Sequence, residues 1–172
     1  MGKLKKIILF GNTPESLISF RGSLLKSFVD LGHEVYAISS TCNETQKQAL
    51  EDLGVKYCEI PFSRTGLNPF SDLKTIKSVY KVFKMIQPDI LVSYALKPIF
   101  YGSLVAKFFK VKHFPILVGL GYTAGYIFSK EFKVLLKGKL IWPIISFFYR
   151  YSLSNSEKIF VYNKDIVSLF VE

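Results

Sequence analysis

Short apolar runs alternate along the chain with longer segments in which apolar residues recur at every third or fourth position. The short runs predict six strands, at residues 5–10, 34–39, 55–60, 89–94, 114–118 and 159–162. The longer segments predict helices near residues 14–31, 44–53, 69–86, 98–109 and 130–153. Strands that alternate with helices predict an α/β protein with a Rossmann-like, doubly wound parallel sheet.

The periodicity also predicts which side of two helices is buried. The first helix has one apolar face, made of Leu17, Phe20, Leu24, Phe28 and Leu31. The buried face of the third helix is expected to consist of Leu73, Ile76, Val79, Tyr80, Phe83 and Ile86. A narrow stripe of lysines lies opposite to it, at Lys74, Lys77, Lys81 and Lys84.

Ligands of doubly wound sheets bind beyond the carboxyl ends of the strands, so the turn after the first strand is a candidate site. Thr13 followed by Pro14 predicts a helix start, where free backbone N–H groups favour a phosphate. Gly11 and Asn12 complete this turn, and a glycine lets the backbone approach an anion closely. A purely structural turn, in which Gly11 redirects the chain and Thr13 caps the helix, is the alternative.

The net charge of the chain limits the classes of macromolecule that it is expected to bind. The 172 residues are enough for one domain, and the formal net charge is +10. Residues 91–172 hold 11 basic and 4 acidic side chains together with most of the aromatic residues. Basic and aromatic residues together favour nucleic acid or an anionic membrane surface, although ordinary solvated lysines give the same count.

The stretch from 130 to 151 is the strongest membrane candidate. It combines aromatic and aliphatic residues with lysines and arginine, which suits the depth of lipid headgroups, although a core helix of the sheet is the alternative. The side chains expected to face a membrane are Lys133, Lys137, Trp142, Phe147, Phe148 and Arg150. No apolar run reaches the ~18 residues that a membrane-spanning helix requires.

Other chemistry is sparse. Residues 119–124 fit the dinucleotide pattern GxGxxA, but no acidic residue follows about 20 positions later to bind a ribose. There is no Asp-x-Asp pair to hold a divalent cation on a diphosphate, so no metal site is expected. His33 and His113 are expected in connecting segments, with structural roles. Arg64 is placed to bind a phosphate or carboxylate, or is a solvated loop residue.

Five segments together resemble the N-terminal domain of family 4 retaining glycosyltransferases. They are Arg64-x-Gly-x-Asn-Pro-x-x-Asp-Leu, Gln87-Pro-Asp-Ile, Tyr94-x-x-Lys-Pro-x-x-Tyr-Gly-Ser, Gly119-Leu-Gly-Tyr and Ile159-Phe-Val-Tyr-Asn-x-Asp. The resemblance covers nearly the whole chain. It is strongest to bacterial enzymes that extend lipid-linked O-antigen, capsule or exopolysaccharide units.

The resemblance implies the N-terminal half of a GT-B fold, in which two Rossmann-like domains face a cleft. It places Gly11, Asn12 and Thr13 in the loop that faces the donor phosphates. It places Arg64, Asn68, Lys97 and Tyr101 on the acceptor side of the cleft. Gly119, Gly121 and Tyr122 would lie in the fifth-strand loop near the transferred sugar. Many members have a histidine in that loop and this chain does not, so the catalytic residues stay unassigned.

The resemblance also implies partners and a location. Residues 1–172 are expected to form the acceptor-side domain, cut short at its C-terminal end, with the donor-binding domain absent and little activity alone. The expected partners are a nucleotide sugar as co-substrate, a lipid-linked saccharide acceptor, an anionic membrane surface and a donor domain in cis or in trans. No cofactor, metal or nucleic acid is expected, and the location would be the cytoplasmic face of the cell membrane. The alternative is a non-catalytic basic module that binds membranes or nucleic acid.

Overall fold

A computed structural model describes residues 3–63, 68–118, 143 and 146–162. Its centre is a six-stranded sheet in which every neighbouring pair of strands is parallel. The strands are β1 (Lys6–Phe10), β2 (Glu34–Ser39), β3 (Lys56–Glu59), β4 (Ile90–Tyr94), β5 (Lys112–Leu117) and β6 (Phe160–Val161), in the spatial order 3-2-1-4-5-6. This order is that of a doubly wound sheet, as the sequence predicted.

Five helices connect the strands in the part of the chain that is described. They are α1 (Pro14–Asp30), α2 (Glu44–Asp52), α3 (Pro69–Ile86), α4 (Leu96–Phe109) and α5 (residues 146–154). Side chains cap three of them. Thr13 accepts from the Ser16 N–H at the start of α1, Asn43 forms a capping box at α2, and Asn68 accepts from two N–H groups at α3.

The central strands are apolar on both sides because helices cover both faces of the sheet. On β1, Ile7 and Leu9 pack with α1 and α2, whereas Ile8 and Phe10 pack with α3 and α4. Helix α5 extends the second layer, since its Tyr149 packs with residues of α4 and β5. The fold therefore has an α1/α2 face and an α3/α4/α5 face.

The predicted buried faces of α1 and α3 were partly wrong. Phe20 on α1 and Leu31 just after it are exposed, and Leu73 and Tyr80 are exposed on α3. The buried positions include two polar residues instead, Arg21 on α1 and Thr75 on α3. Each has a specific reason to be inside: the guanidinium of Arg21 lies between two tyrosine rings, and the Thr75 hydroxyl donates to the Pro61 carbonyl at 2.6 Å.

His113 is also placed differently from the prediction. Strand β5 begins at Lys112, two residues earlier than expected, so His113 is a buried strand residue. Its Nε2 lies 2.7 Å from the Ser93 hydroxyl, and its Nδ1 lies 3.5 Å from the Ser156 hydroxyl. Burial lowers the pKa of His113 to about 4, so the ring is neutral near pH 7. The predicted structural role fits these contacts.

The two sides of the sheet are covered unequally. On the α1/α2 face, an apolar groove of about 590 Å³ runs over β4, β5 and β6. It is lined by Val92, Phe114, Ile116 and Phe160, and by Leu24 and Phe28 of α1. Among the described residues, no helix covers these strands on this side.

Candidate functional site

The order of the strands reverses between β1 and β4, so the helices that follow them leave toward opposite faces. This switch point is where doubly wound sheets bind ligands. The turn of Gly11, Asn12 and Thr13 lies on one side of it. The residues from Tyr94 to Lys97, which lead into α4, lie on the other.

The β1–α1 turn presents backbone donors at this edge. The Gly11 N–H donates to the Ile38 carbonyl at 3.0 Å, which ties the turn to β2. In the described part of the chain, the N–H groups of Asn12 and Thr13 have no hydrogen-bond partner. Together with the positive end of the α1 dipole, they are available to an anion.

Tyr94 forms the floor beneath this turn. A side chain at position 11 would overlap its hydroxyl, so close packing against Tyr94 explains the glycine at this position. The Tyr94 hydroxyl also lies 2.7 Å from that of Ser16. Burial raises the pKa of Tyr94, so it stays a neutral hydrogen-bonding group.

Arg21 packs against the ring of Tyr94, and the apolar periodicity of α1 did not predict this contact. Its guanidinium carbon lies 5.0 Å from the ring centre of Tyr94 and 5.3 Å from that of Tyr162. Its Nη1 donates to the Phe20 carbonyl at 2.9 Å, whereas its buried Nε has no partner among the described residues. Stacking between two aromatic rings is a typical environment for a buried guanidinium.

Helix α4 begins with a strained residue. Ala95 has φ 70° and ψ 153°, a backbone region that is populated almost only by glycine. Among the described residues, no side chain caps the N-terminus of α4, and its first N–H groups lie at the edge of the sheet. Strain of this kind is concentrated at functional sites, and here it lies at the switch point.

Lys97 and Asp72 form an ion pair at the same edge. The Lys97 amine lies 2.9 Å from Asp72 Oδ1 and 3.1 Å from the Ser63 carbonyl, and only 12% of the Lys97 side chain is exposed. A lysine in the first turn of a helix opposes the helix dipole, so Lys97 needs an anionic neighbour. Asp72 supplies one, and the pair links the β3–α3 loop to α4.

Tyr101 lies one turn further along α4 and is buried. Burial raises its pKa, and the nearby Asp72 carboxylate raises it further. The structure therefore brings Lys97 and Tyr101 together around Asp72. Asp72 stands in the resembling motif but was not among the predicted site residues, and its spacing from Asn68 was the signal that could have found it.

Of the remaining predicted site residues, only some lie in the described part of the chain. Asn68 caps α3, with its side chain accepting from the N–H groups of Phe70 and Ser71. Phe147 and Arg150 are exposed on α5, whereas Phe148 is half-buried with its ring 4.2 Å from that of Phe100. The other predicted site residues lie outside the described part, namely Arg64, Gly119, Gly121, Tyr122, Lys133, Lys137 and Trp142.

No cluster of three or more His, Cys, Asp or Glu side chains in the described part of the chain has the geometry to hold a metal ion. No helix there combines the length and the hydropathy needed to cross a membrane.

Doubly wound sheets of this kind form a large class of enzymes and binding proteins whose ligands bind at the switch point. The model of the family described as glycosyl transferase 4-like matches residues 6–163. The chain therefore belongs to the glycosyl transferase 4-like family, and the resemblance noted from its motifs is confirmed.

One curated relative is N,N'-diacetylbacillosaminyl-diphospho-undecaprenol alpha-1,3-N-acetylgalactosaminyltransferase of Campylobacter jejuni. It is 38% identical over 107 residues, which are 62% of this chain and 28% of the relative. The chain thus aligns with less than a third of that enzyme.

Solved structures show the same fold. A putative UDP-N-acetylglucosamine 2-epimerase from Listeria monocytogenes superposes with a TM-score of 0.61 and 16% identity, covering 99% of this chain and 42% of that one. MurG of Acinetobacter baumannii gives a TM-score of 0.55 and 15% identity, covering 70% of this chain and 38% of that one. At these identities the likeness extends to the fold alone, which is the Rossmann-like half of GT-B proteins.

Proposed function

We propose that this chain is the acceptor-side domain of a retaining glycosyltransferase. The enzyme would move a sugar from a nucleotide sugar to a hydroxyl of a lipid-linked saccharide in surface polysaccharide synthesis. The bond from the anomeric carbon to the nucleotide phosphate breaks, and a bond to the acceptor oxygen forms. The nucleotide leaves with the electron pair of the broken bond, and the acceptor hydroxyl gives up its proton to it. The observation that carries this proposal is the family match over residues 6–163. The class of acceptor is supported by the Campylobacter relative, whose name describes the transfer of a sugar to a diphospho-undecaprenol acceptor.

The geometry of the switch point supports a division of roles. The N–H groups of Asn12 and Thr13 are proposed to face the donor phosphates, because they lie at the positive end of α1 and no described residue accepts from them. Lys97 is proposed to contact the acceptor diphosphate, since its amine has three donors and two are used by Asp72 and Ser63. Tyr101 is proposed to position this corner of the site through Asp72. Asn68 and Arg64 are proposed to complete the acceptor side, and Gly119, Gly121 and Tyr122 to lie near the transferred sugar.

The proposal includes a second domain, in cis or in trans, that binds the nucleotide sugar. The 172-residue protein alone is then expected to show little transfer of radiolabelled sugar to a short-chain polyprenyl diphospho-saccharide. Transfer should appear when a donor-binding domain is supplied, and it should persist in EDTA because no metal is proposed. Turnover by the purified 172-residue protein would contradict the proposed division of labour.

Acceptor binding is tested separately by amide chemical shifts in the 172-residue protein. A short-chain polyprenyl diphospho-saccharide should shift the signals of residues 61–63, 68–72 and 95–101. The signals of α2 serve as the internal control and should not move. No shift at saturating ligand, or shifts centred on the opposite edge of the sheet, would contradict an acceptor site at this position.

A lipid-linked acceptor implies that the enzyme works at a lipid surface. We therefore also propose that the protein is peripheral on the cytoplasmic face of the cell membrane. The net charge of +10 supports attraction to anionic lipids.

A further inference from the structure

The helices on the two faces of the sheet differ in their outer side chains. Helices α1 and α2 together carry five acidic and three basic residues, and one of the basic residues, Arg21, is buried. Helices α3 and α4 carry one acidic and six basic residues. The single acidic residue, Asp72, is already paired with Lys97. Among these four helices, the excess of positive charge therefore lies on the α3/α4 side of the sheet.

Four of these lysines form a row along α3. Lys74, Lys77, Lys81 and Lys84 follow the helix with spacings of three and four, so their amines point the same way. None of them forms an ion pair with a described residue. Structural salt bridges within the described fold therefore do not account for this row.

Large apolar side chains lie beside the lysines. Phe70 is 87% exposed, Met85 is 70% exposed, and Leu73 and Tyr80 are also exposed. The pattern continues onto α4, where Phe108 is 68% exposed and its ring lies 5.4 Å from that of Tyr80. Exposed apolar groups in water are unfavourable, so a row of them beside unpaired lysines indicates a surface that is covered in use.

We propose that the outer face of α3, with the adjoining exposed residues of α4, docks on an anionic lipid bilayer. Below it is called the docking face. Its lysines match the negative potential of the lipid headgroups, and Phe70, Met85 and Phe108 enter the headgroup layer. The inference rests on the proposed function, because a lipid-linked acceptor must be reached from a membrane surface.

Docking in this way also orients the site. Helix α3 begins at Pro69, next to Asn68 and one turn from Asp72, and it ends at the opposite edge of the sheet. A helix of 18 residues spans about 27 Å, so the row of lysines lies along the bilayer. One end of the row lies near Asp72, Lys97 and Tyr101, which are called the acceptor corner below. The acceptor diphosphate, held at headgroup depth, would then lie within reach of Lys97.

The first test is co-sedimentation of the 172-residue protein with phosphatidylcholine vesicles, with and without phosphatidylglycerol. The variant K74Q/K77Q/K81Q should bind phosphatidylglycerol vesicles at least tenfold more weakly than the wild type. The control K26Q/K47Q/K56Q loses the same charge from outside the docking face and should bind within about twofold of the wild type. Equal losses in both variants would overturn the proposal, because net charge alone would explain binding.

The apolar contribution has its own matched pair. The variant F70A/F108A should weaken vesicle binding several-fold, whereas F20A on α1, where Phe20 is 75% exposed, should have no effect. Both variants remove exposed rings, so both should fold as the wild type does, which circular dichroism checks. Unchanged binding of F70A/F108A would overturn apolar insertion at the docking face.

Two further outcomes separate this proposal from others. Tighter, salt-sensitive binding to duplex DNA than to phosphatidylglycerol vesicles would replace the membrane by nucleic acid and overturn it. Titration of the short-chain acceptor without vesicles tests the proposed function independently. Acceptor binding without vesicle binding overturns the docking face alone. Vesicle binding without acceptor binding overturns the proposed function and leaves the docking surface standing.

Discussion

The α1/α2 face and the α3/α4/α5 face of the sheet are built alike on the inside and differently on the outside. Both present apolar side chains to the sheet, such as Leu17 and Leu25 on α1 and Val79 and Phe83 on α3. Their outer surfaces differ in charge and in exposed aromatic residues. Folding requires only the apolar side chains that face the sheet. The difference between the two outer surfaces therefore indicates that the two faces contact different surroundings in the cell.

The largest expected effect is on the free energy of unfolding, and it separates the buried side of α3 from its exposed side. Phe83 is fully buried, so Phe83→Ala should lower the free energy of unfolding by about 3–5 kcal/mol. Phe70 is almost fully exposed, so Phe70→Ala should change it by less than about 0.5 kcal/mol. Urea denaturation measures both. A large loss from Phe70→Ala would mean that its ring stabilises the fold, and the docking face would lose its main apolar residue.

The next effect concerns His113, the buried histidine of β5 that contacts Ser93 on β4 and Ser156 after α5. The pKa of His113 is about 4 in the folded protein and 6.5 in the unfolded chain, so protons favour unfolding. Its contribution is complete above about pH 6.5 and falls as the pH drops towards 4, by roughly 3 kcal/mol in total. Denaturation at pH 7.5 and at pH 5 should show a loss of about 2 kcal/mol from this group.

The variant His113→Gln provides the control for this pH dependence, because it cannot titrate. Between pH 7.5 and pH 5, its free energy of unfolding should fall by about 2 kcal/mol less than that of the wild type. At pH 7.5 the variant should be less stable than the wild type. Identical pH dependence in the two proteins would show that His113 is not buried in a neutral state.

Ion pairs on the two faces form the third comparison. Asp72→Asn leaves the amine of Lys97 largely buried without its carboxylate and should cost about 1–3 kcal/mol. Asp30→Asn removes an exposed partner of Lys26 on α1 and should cost less than about 0.5 kcal/mol. If both substitutions cost the same in thermal or urea unfolding, the acceptor corner is not the structured element described above.

The smallest effect tests the strained junction at the switch point. Ala95→Gly should raise the free energy of unfolding by about 0.5–1 kcal/mol, because glycine adopts a φ of 70° without strain. Ala106→Gly, inside the same helix, should lower it by about 1 kcal/mol or more. Two variants with the same change in composition are thus expected to move the melting temperature in opposite directions. Destabilisation by both would show that Ala95 is not strained.

The fold could be predicted from the sequence because its signals are local and strong. Apolar runs such as Ile7 to Phe10 mark strands that are buried on both sides, and capping residues such as Thr13 and Asn68 mark where helices start. The parallel, doubly wound sheet follows from the alternation of these elements, whereas the spatial order of its strands came from the structure.

The errors arose where tertiary contacts outweigh periodicity. Arg21 takes an inward position on α1 because Tyr94 and Tyr162 surround its guanidinium, and no pattern along one helix reveals such partners. Leu73 and Tyr80 fit the apolar period of α3 but stay exposed, although the ring of Tyr80 contacts Phe108 of α4. The ion pair of Lys97 with Asp72 joins residues 25 positions apart and follows only from packing α3 on α4.

The central claim is that the acceptor corner around Lys97 receives a lipid-linked saccharide. Its most direct test is the dissociation constant for a short-chain polyprenyl diphospho-saccharide, measured by calorimetry without vesicles, for the wild type, Lys97→Gln and Lys74→Gln. We predict at least a tenfold loss of affinity for Lys97→Gln and less than a twofold change for Lys74→Gln. Equal affinities of the wild type and Lys97→Gln, with both proteins folded, would contradict the claim.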